Sequence, residues 1–245
     1  MKIIGIIPAR YGSSRFPGKP LADICGKPML WWVFENAKMA KKITELVVAT
    51  DDERIARMCS QYGFPFVMTS NAHQTAANRM QEVSESRTAD FYVGINGDEP
   101  LLPIEAIDAV VPDYVEQDHP FGTNIITKMY NPVEVNDMAN IKVVFDCDFN
   151  ALYMSRSPIP APFKTLDYQY YKHVGVLGYN KLMLDFYRDS VPGRFECIEG
   201  IDTMRFLDYG KKLKFIEISE CNSLSVDTPK DIEKVCEIFK KNGKG

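Results

Sequence analysis

Short β-branched runs alternate with longer amphipathic segments through the first half of the chain, and this alternation limits the possible folds more than any other feature. KIIGIIP (2–8), ELVVATD (45–51), FPFVMTS (64–70) and FYVGING (91–97) read as strands. Between them, MLWWVFENAKMAKK (29–42), DERIARMCSQYG (52–63) and TAANRMQEVSES (75–86) repeat apolar residues at helical spacing. Strand and helix in regular succession predict βαβ units, hence a Rossmann-like α/β fold with a mostly parallel central sheet flanked by helices. Past residue 120 the pattern changes. TNIITKMY, NIKVVFDCDFNALYMSR and HVGVLGYN read as strands joined by turns, which predicts mixed or antiparallel additions. KLMLDFYRD (181–189), GIDTMRFLDYG (200–210) and PKDIEKVCEIFKKNG (229–243) then read as helices. No repeat or low-complexity linker divides the chain, so a single domain is expected over 1–245, with about 120–210 forming a smaller mixed lobe.

With 245 residues, 45% of them hydrophobic, the chain can bury a large core. Its net charge of −4 gives no basic footprint for non-specific nucleic-acid binding, so any anion site must be local. The cysteines (Cys25, Cys59, Cys147, Cys197, Cys221, Cys236) form no C-x-x-C pair, which argues against a zinc knuckle or a thioredoxin-like motif. The apolar start is too short for a signal-peptide core, and no stretch approaches the roughly 20 apolar residues of a membrane helix. A reduced, cytoplasmic protein is expected. Of the adjacent Trp31 and Trp32, one should face the core.

In open α/β sheets ligands sit beyond the carboxyl ends of the strands, and polar clusters fall at those ends here. The first is IPARYGSSRFPGKPL (7–21), where Gly12 and Gly18 permit tight turns and Arg10, Arg15 and Lys19 offer charge-assisted donors. Several phosphate oxygens would suit it, although a solvated basic loop explains the same composition. Its spacing matches neither G-x-G-x-x-G nor G-x-x-x-x-G-K-[ST], which excludes those two nucleotide motifs. The second cluster is GINGDEP (94–100), whose Asp98 is placed to hold a hard cation or simply to form a turn. In the third, LSVDTPKDIEKV (224–235), Asp227 or Thr228 reads as a helix cap; yet two loop carboxylates, Asp98 and Asp227, would also suit Mg²⁺ with a triphosphate.

These motifs, with VVATDDERI, VMTSNAHQ, IKVVFD, ALYMSRSPIP and YKHVGVLGY, occur in an order and spacing that resemble the 3-deoxy-manno-octulosonate (Kdo) cytidylyltransferases, the CMP-Kdo synthetases, along essentially the whole chain. The resemblance implies the nucleotide-diphospho-sugar transferase fold and attack by an acidic acceptor on the α-phosphorus of CTP, with release of pyrophosphate. It further implies a homodimer and a place in lipopolysaccharide or capsule synthesis. Carried over by position, Arg10, Ser13, Arg15 and Lys19 would cradle the triphosphate, Asp98 and Asp227 would bind Mg²⁺, and His73, Arg79 and Asn96 would face the nucleotide. Arg156, His173, Tyr179, Asp202 and Thr203 would face the acceptor, although a histidine on a strand is more often structural.

The chain departs from the family pattern in three places. H-x-S-G-T-D-R reads HQTAANR, from His73 to Arg79; Q-G-D-E-P reads NGDEP; and L-E-Q-L-R reads IDTMR, with Asp202 and Thr203 in place of Glu and Gln while Arg205 remains. Altered hydrogen-bonding groups can shift substrate choice by about one or two orders of magnitude. Three readings follow: a cytidylyltransferase for Kdo or an amino-substituted relative, a nucleotidyltransferase for another acid such as a phosphonate, or a non-catalytic nucleotide-binding protein. Retention of Arg10, Lys19, Asp98 and Asp227 together speaks against the last.

Overall fold

The computed structural model describes residues 1–12, 16–219, 221, 224–241 and 243. In chain order, β1 (Ile3–Ala9) leads through a 3-10 turn at Lys19–Leu21 to a small hairpin, β2 (Asp23–Ile24) and β3 (Lys27–Pro28). Then come α1 (Met29–Ala37), β4 (Glu45–Thr50), α2 (Glu53–Tyr62), β5 (Phe66–Met68), α3 (Ala76–Ser86), β6 (Phe91–Ile95) and α4 (Ile104–Ala109). The second half comprises β7 (Gly122–Met129), α5 (Pro132–Asn136), β8 (Lys142–Phe145), β9 (Ala151–Ser155), β10 (Tyr170–Tyr179), α6 (Lys181–Asp189), α7 (Arg194–Glu199), α8 (Met204–Asp208), β11 (Leu213–Ile218) and α9 (Pro229–Lys241).

The main sheet has the order β11-β7-β10-β6-β1-β4-β5, with the β8–β9 hairpin attached to β10. Neighbouring strands are parallel except around β10, which runs antiparallel to both β6 and β7. The mostly parallel sheet expected from the sequence is therefore present. The second half is more closely integrated than the sequence suggested: β7, β10 and β11 continue the sheet, and only β8 and β9 leave its line. No helix among the described residues is long and apolar enough to cross a membrane.

Both faces of the sheet are covered, which is why its central strands read as unbroken apolar runs. Along β1, Ile3 and Ile7 enter one core layer with Leu30, Val33 and Phe34 of α1. Ile4 and Ile6 point the other way, toward Met80 and Val83 of α3 and Met183 and Leu184 of α6. A third cluster joins the β2–β3 hairpin to α9 through Ile24, Val226, Val235 and Phe239. Neither tryptophan is fully buried: Trp32 packs its ring 4.4 Å from Phe239 and donates its indole N–H to Ile24 O at 2.7 Å, fastening α9 in place.

The turn into α6 rests on one fully buried side chain. Asn180 Oδ1 accepts from Met183 N (2.8 Å) and Phe121 N (3.1 Å), while Nδ2 donates to the carbonyls of Glu116 (2.7 Å) and His119 (2.8 Å). Asn180→Ala would leave two donors and two acceptors to find new partners. It should cost about 3 kcal/mol, measured as a lower urea midpoint at unchanged m-value.

Candidate active site

The chain passes from β1 outward through β4 to β5, then returns to β6 on the opposite side of β1. The carboxyl ends of β1 and β6 therefore flank a switch point, where strand-to-helix loops diverge and leave a crevice. A cleft of about 280 Å³ opens there, bordered by Arg10, Lys19, Asn96, Asp98, Asp202 and Asp227.

The loop after β1 doubles back because Gly18, at φ 74°, takes left-handed backbone and donates its N–H to Tyr11 O at 2.8 Å. Gly12 needs no such conformation, so only one of the two glycines singled out in the sequence has this role. Lys19, which follows the turn, reaches Asp98 Oδ2 at 2.6 Å and Asp227 Oδ1 at 3.4 Å. The carboxylates arrive from opposite ends of the chain. Asp98 follows Gly97, where a Cβ would lie 2.9 Å from Pro8 O, so the exits of β1 and β6 can approach only with glycine there. Val226 N donates to Asp98 O at 2.9 Å and brings Asp227 alongside.

Thr228 stands directly before α9, at the cap position read for Asp227 or Thr228, and both residues are held by Asp231. Its Oδ2 accepts from Asp227 N (3.3 Å), Thr228 N (2.9 Å) and the Thr228 hydroxyl (2.9 Å). The Asp227 carboxylate meets Lys19. The described residues contain no group of three or more His, Cys, Asp or Glu side chains able to hold a metal. The Asp98–Asp227 pair nevertheless supplies hard oxygen donors, which fits an ion that takes its remaining ligands from phosphate and water.

A second cavity, of about 210 Å³, adjoins the first and contains His173, Tyr179 and Thr203; Asn96, Ala76 and Asp202 line both. The Tyr179 hydroxyl bonds to Thr203, and burial pushes its pKa far up, so it remains a neutral phenol. Asp202 projects between the cavities. Crowding by protein and the nearby Glu196 carboxylate raise its pKa to about 6 against the opposing influence of Arg205 and Arg10. Arg205 lies behind it, buried, donating to both Glu196 oxygens at 2.7 Å from Nε and Nη2 and stacking 3.8 Å from the Tyr187 ring centroid. That clamp fixes the turn carrying Asp202 and Thr203.

The fold does not bring every expected residue to these cavities. His73 lies outside the cleft lining, with Nε2 2.5 Å from Glu82 Oε2, and Gln74, Thr75 and Ala76 form the wall in its place. Arg79 does line the cleft, but its guanidinium is engaged by Asp51 Oδ2 (2.7 Å) and Thr69 Oγ1 (2.7 Å). Arg156, expected to meet the acceptor, lies outside the lining of both cavities and donates to the carbonyls of Glu199 (2.9 Å), Met138 (3.0 Å) and Gly200 (3.2 Å). Its guanidinium is spent on backbone. Ser13 and Arg15 lie outside the described residues. The sequence reading missed Gln74, Asp51 and Asn124; Asp51 follows directly on a strand and could have been noticed from that position.

A triphosphate-sized polar cleft at the switch point, with a smaller cavity opening from it, is the arrangement of an enzyme that joins two substrates, and the chain is a nucleotidyltransferase. The family model described as Cytidylyltransferase matches residues 4–213, and the chain belongs to that family. An 8-amino-3,8-dideoxy-manno-octulosonate cytidylyltransferase from Shewanella oneidensis is 41% identical over 243 residues, covering 97% of this chain and 98% of that protein. A protein of the same description from Shewanella piezotolerans is 40% identical over 241 residues, with the same coverage. Among solved structures, a CMP:2-keto-3-deoxy-manno-octonic acid synthetase complexed with CTP superposes at a TM-score of 0.90 with 33% identity, over 99% of this chain and 100% of that one. An inositol-1-phosphate CTP transferase from T. maritima shares the fold at a TM-score of 0.70 and 15% identity, over 99% and 96% of the two chains.

Asp202→Asn should raise Tm at pH 8, where the native surroundings disfavour the carboxylate. The gain should fade as pH falls through about 6 and vanish below the unfolded value of 3.8, where both states hold the proton. Thermal unfolding from pH 4 to 9 measures the trend.

Proposed function

We propose that this chain transfers the cytidylyl group of CTP to a 3-deoxy-octulosonic acid of the Kdo type, 8-amino-substituted or not, and releases pyrophosphate. The observation that carries the reading is the meeting of two cavities at Asn96 and Asp202, one bordered by Lys19 and Arg10, the other by His173, Tyr179 and Thr203. CTP in the solved relative and octulosonate in the names of the curated relatives support the same assignment.

In this reading the triphosphate enters the larger cleft, where Lys19 and Arg10 meet its charge, and Asn96 faces the nucleoside. The acceptor fills the smaller cavity with its attacking hydroxyl turned toward the α-phosphorus. The new phosphorus–oxygen bond forms as the bond to pyrophosphate breaks, and the hydroxyl proton leaves to solvent. Positioning and neutralisation of developing charge account for most of the acceleration. Asp98 and Asp227 would hold Mg²⁺, which when bound supplies further positive charge to the phosphate oxygens. Lys19 keeps the two carboxylates together until the nucleotide arrives.

The altered residues Asn96 and Asp202 at the shared wall, with Thr203 in the smaller cavity, favour a second reading in which the same chemistry serves another acid, such as a phosphonate. Pyrophosphate release with CTP and Mg²⁺, assayed across Kdo, 8-amino-Kdo, sialic-type acids and small phosphonates, separates the two. Turnover confined to phosphonates or sialic-type acids would overturn the first reading. Silence across the panel would favour a nucleotide-binding protein.

Lys19→Ala and Asp98→Asn should each lower kcat by about 10²–10³-fold while far-UV circular dichroism stays unchanged. Near-normal turnover in both would remove the assignment of the larger cleft.

A homodimer belongs to the same proposal. Tyr130, Val133, Met138, Leu152, Phe163 and Leu166 are exposed by 60 to 95% and all lie in the second-half lobe. Sedimentation velocity should give about twice the 27.9 kDa chain mass, and Phe163→Glu with Leu166→Glu should shift the protein toward monomer.

A further inference from the structure

The β10 strand is irregular where it passes the smaller cavity. His173 pairs with Ile126 and Leu177 with Asn124, so Val174, Gly175 and Val176 face Ile125 alone on β7. The bulge is held from two sides. Asn96 N donates to Gly175 O at 2.9 Å, and the fully buried Asn124 donates from Nδ2 to the carbonyls of Val174 and Val176, both at 3.0 Å.

Those two bonds fix the orientation of the Asn124 amide, because the reverse placement would set its oxygen against two carbonyl oxygens. Oδ1 therefore faces His173 Nδ1, 2.7 Å away, and an amide oxygen only accepts. Nδ1 must carry the proton. Packing around the imidazole and the neighbouring Arg156 pull its pKa down to about 4, so the ring is neutral at ordinary pH. Nε2 is then unprotonated, with no protein partner among the described residues, on a side chain that lines the cavity.

The geometry points to Asn124 as a positioning residue: it holds His173 as the Nδ1–H tautomer, so that Nε2 offers a lone pair to a hydroxyl or amine donor on the acceptor acid. This rests on the reading above that the smaller cavity takes the acceptor. Together with the Asp202 carboxylate, the wall presents acceptors toward the substrate and suits an acid rich in hydroxyl or ammonium donors. Sequence spacing does not reveal the pairing, since the two residues are 49 positions apart.

The chain has three histidines, so ¹⁵N-imidazole NMR of the whole protein, with His173→Phe for assignment, can follow the ring directly. In the free enzyme His173 should show a protonated Nδ1 and an unprotonated Nε2 from pH 5 to 9. Kdo added to the CTP-loaded protein should move the Nε2 resonance toward the protonated range, and CTP alone should leave it in place. In kinetics, His173→Phe should raise the acceptor KM about tenfold with the CTP KM nearly unchanged.

A second variant tests positioning; because a carboxylate gives up the bonds to the Val174 and Val176 carbonyls, Asn124→Leu, which loses them too but adds no charge, is its control for mere support of the bulge. Asn124→Asp keeps an oxygen for Nδ1–H but places a charge beside it, lifting the His173 pKa. The other ionisable groups around the ring are Arg156 beyond β9, Asp202 ahead of α8, Tyr187 of α6 and Tyr179 on β10 itself. As His173 gains a proton, Nε2 becomes a donor, so the acceptor KM should rise more steeply at acidic pH in this variant than in the wild type, where Asp202 alone on that wall titrates near 6. An Nε2–H tautomer, an Nε2 resonance indifferent to an acid that is turned over, or an acceptor pH profile unmoved by Asn124→Asp would each overturn the proposal. If no acid of this class reacts, the functional reading fails, while the tautomer of the free protein still decides the role of Asn124.

Discussion

Lys19 stands between two carboxylates that would otherwise repel each other at the end of the sheet. At an effective dielectric of about 20, like charges 4 Å apart cost about 4 kcal/mol, so Asp98 and Asp227 can share this corner only with a cation between them. The loop after β1 supplies that cation, the exit of β6 one anion and the segment before α9 the other. Assembly of the cleft thus requires the first and last parts of the chain to fold together, and the Trp32–Phe239 contact fastens the last helix behind it. A triphosphate bound there, as proposed, would add several negative charges to the same corner. One lysine cannot neutralise all of them, which is why Arg10 on the rim and a site suited to a hard divalent ion belong to a single electrostatic arrangement.

The antiparallel strand β10 joins the two cavities. A wholly parallel sheet would have brought a helix crossover to the edge of β6; β10 instead lies directly against it and carries a bulge past the cleft. Asn96, at the exit of β6, bonds through its backbone to that bulge, and its side chain faces both cavities. One backbone hydrogen bond thus links the exit of β6 to the bulge beside the smaller cavity. The acceptor wall and the nucleotide wall meet at Asn96 and Asp202, and those positions depart from the family pattern.

Legibility in the sequence follows the same physics. Strands β1, β4 and β6 were readable because burial on both faces leaves long apolar runs, and α1 to α3 because each is long enough to show a period. The β11 strand escaped notice: at the sheet edge its sequence LKFIEI mixes charged and apolar residues, with only Leu213 and Phe215 fully buried. Helices α4, α5 and α7, of five or six residues, are too short for a periodic signal. At the site, residue types could suggest charge but not direction. Arg156 carries the expected guanidinium but turns it to three backbone carbonyls, and His73 turns to Glu82. Asn124 gave no signal at all, because its meaning lies in a bulge that only the paired strands reveal.

The change from S-G-T-D to Thr75-Ala76-Ala77-Asn78 has a local rationale. Thr75 caps α3 by accepting from Asn78 N at 3.2 Å, and its hydroxyl donates to Asn78 Oδ1 at 2.8 Å. A neutral pair thus does the capping that a hydroxyl and a carboxylate would otherwise do, and Arg79 keeps Asp51 as its partner instead. The helix start stays in place with one negative charge fewer in the first turn of α3. Ala76 adds a methyl group to the surface shared by both cavities, where glycine would leave space. The substitutions therefore keep the capped start of α3 and alter the surface shared by the two cavities. In the proposed reading, Lys19, Asp98 and Asp227 would serve the chemistry, and Asn96, Asp202 and Thr203 the choice of substrate.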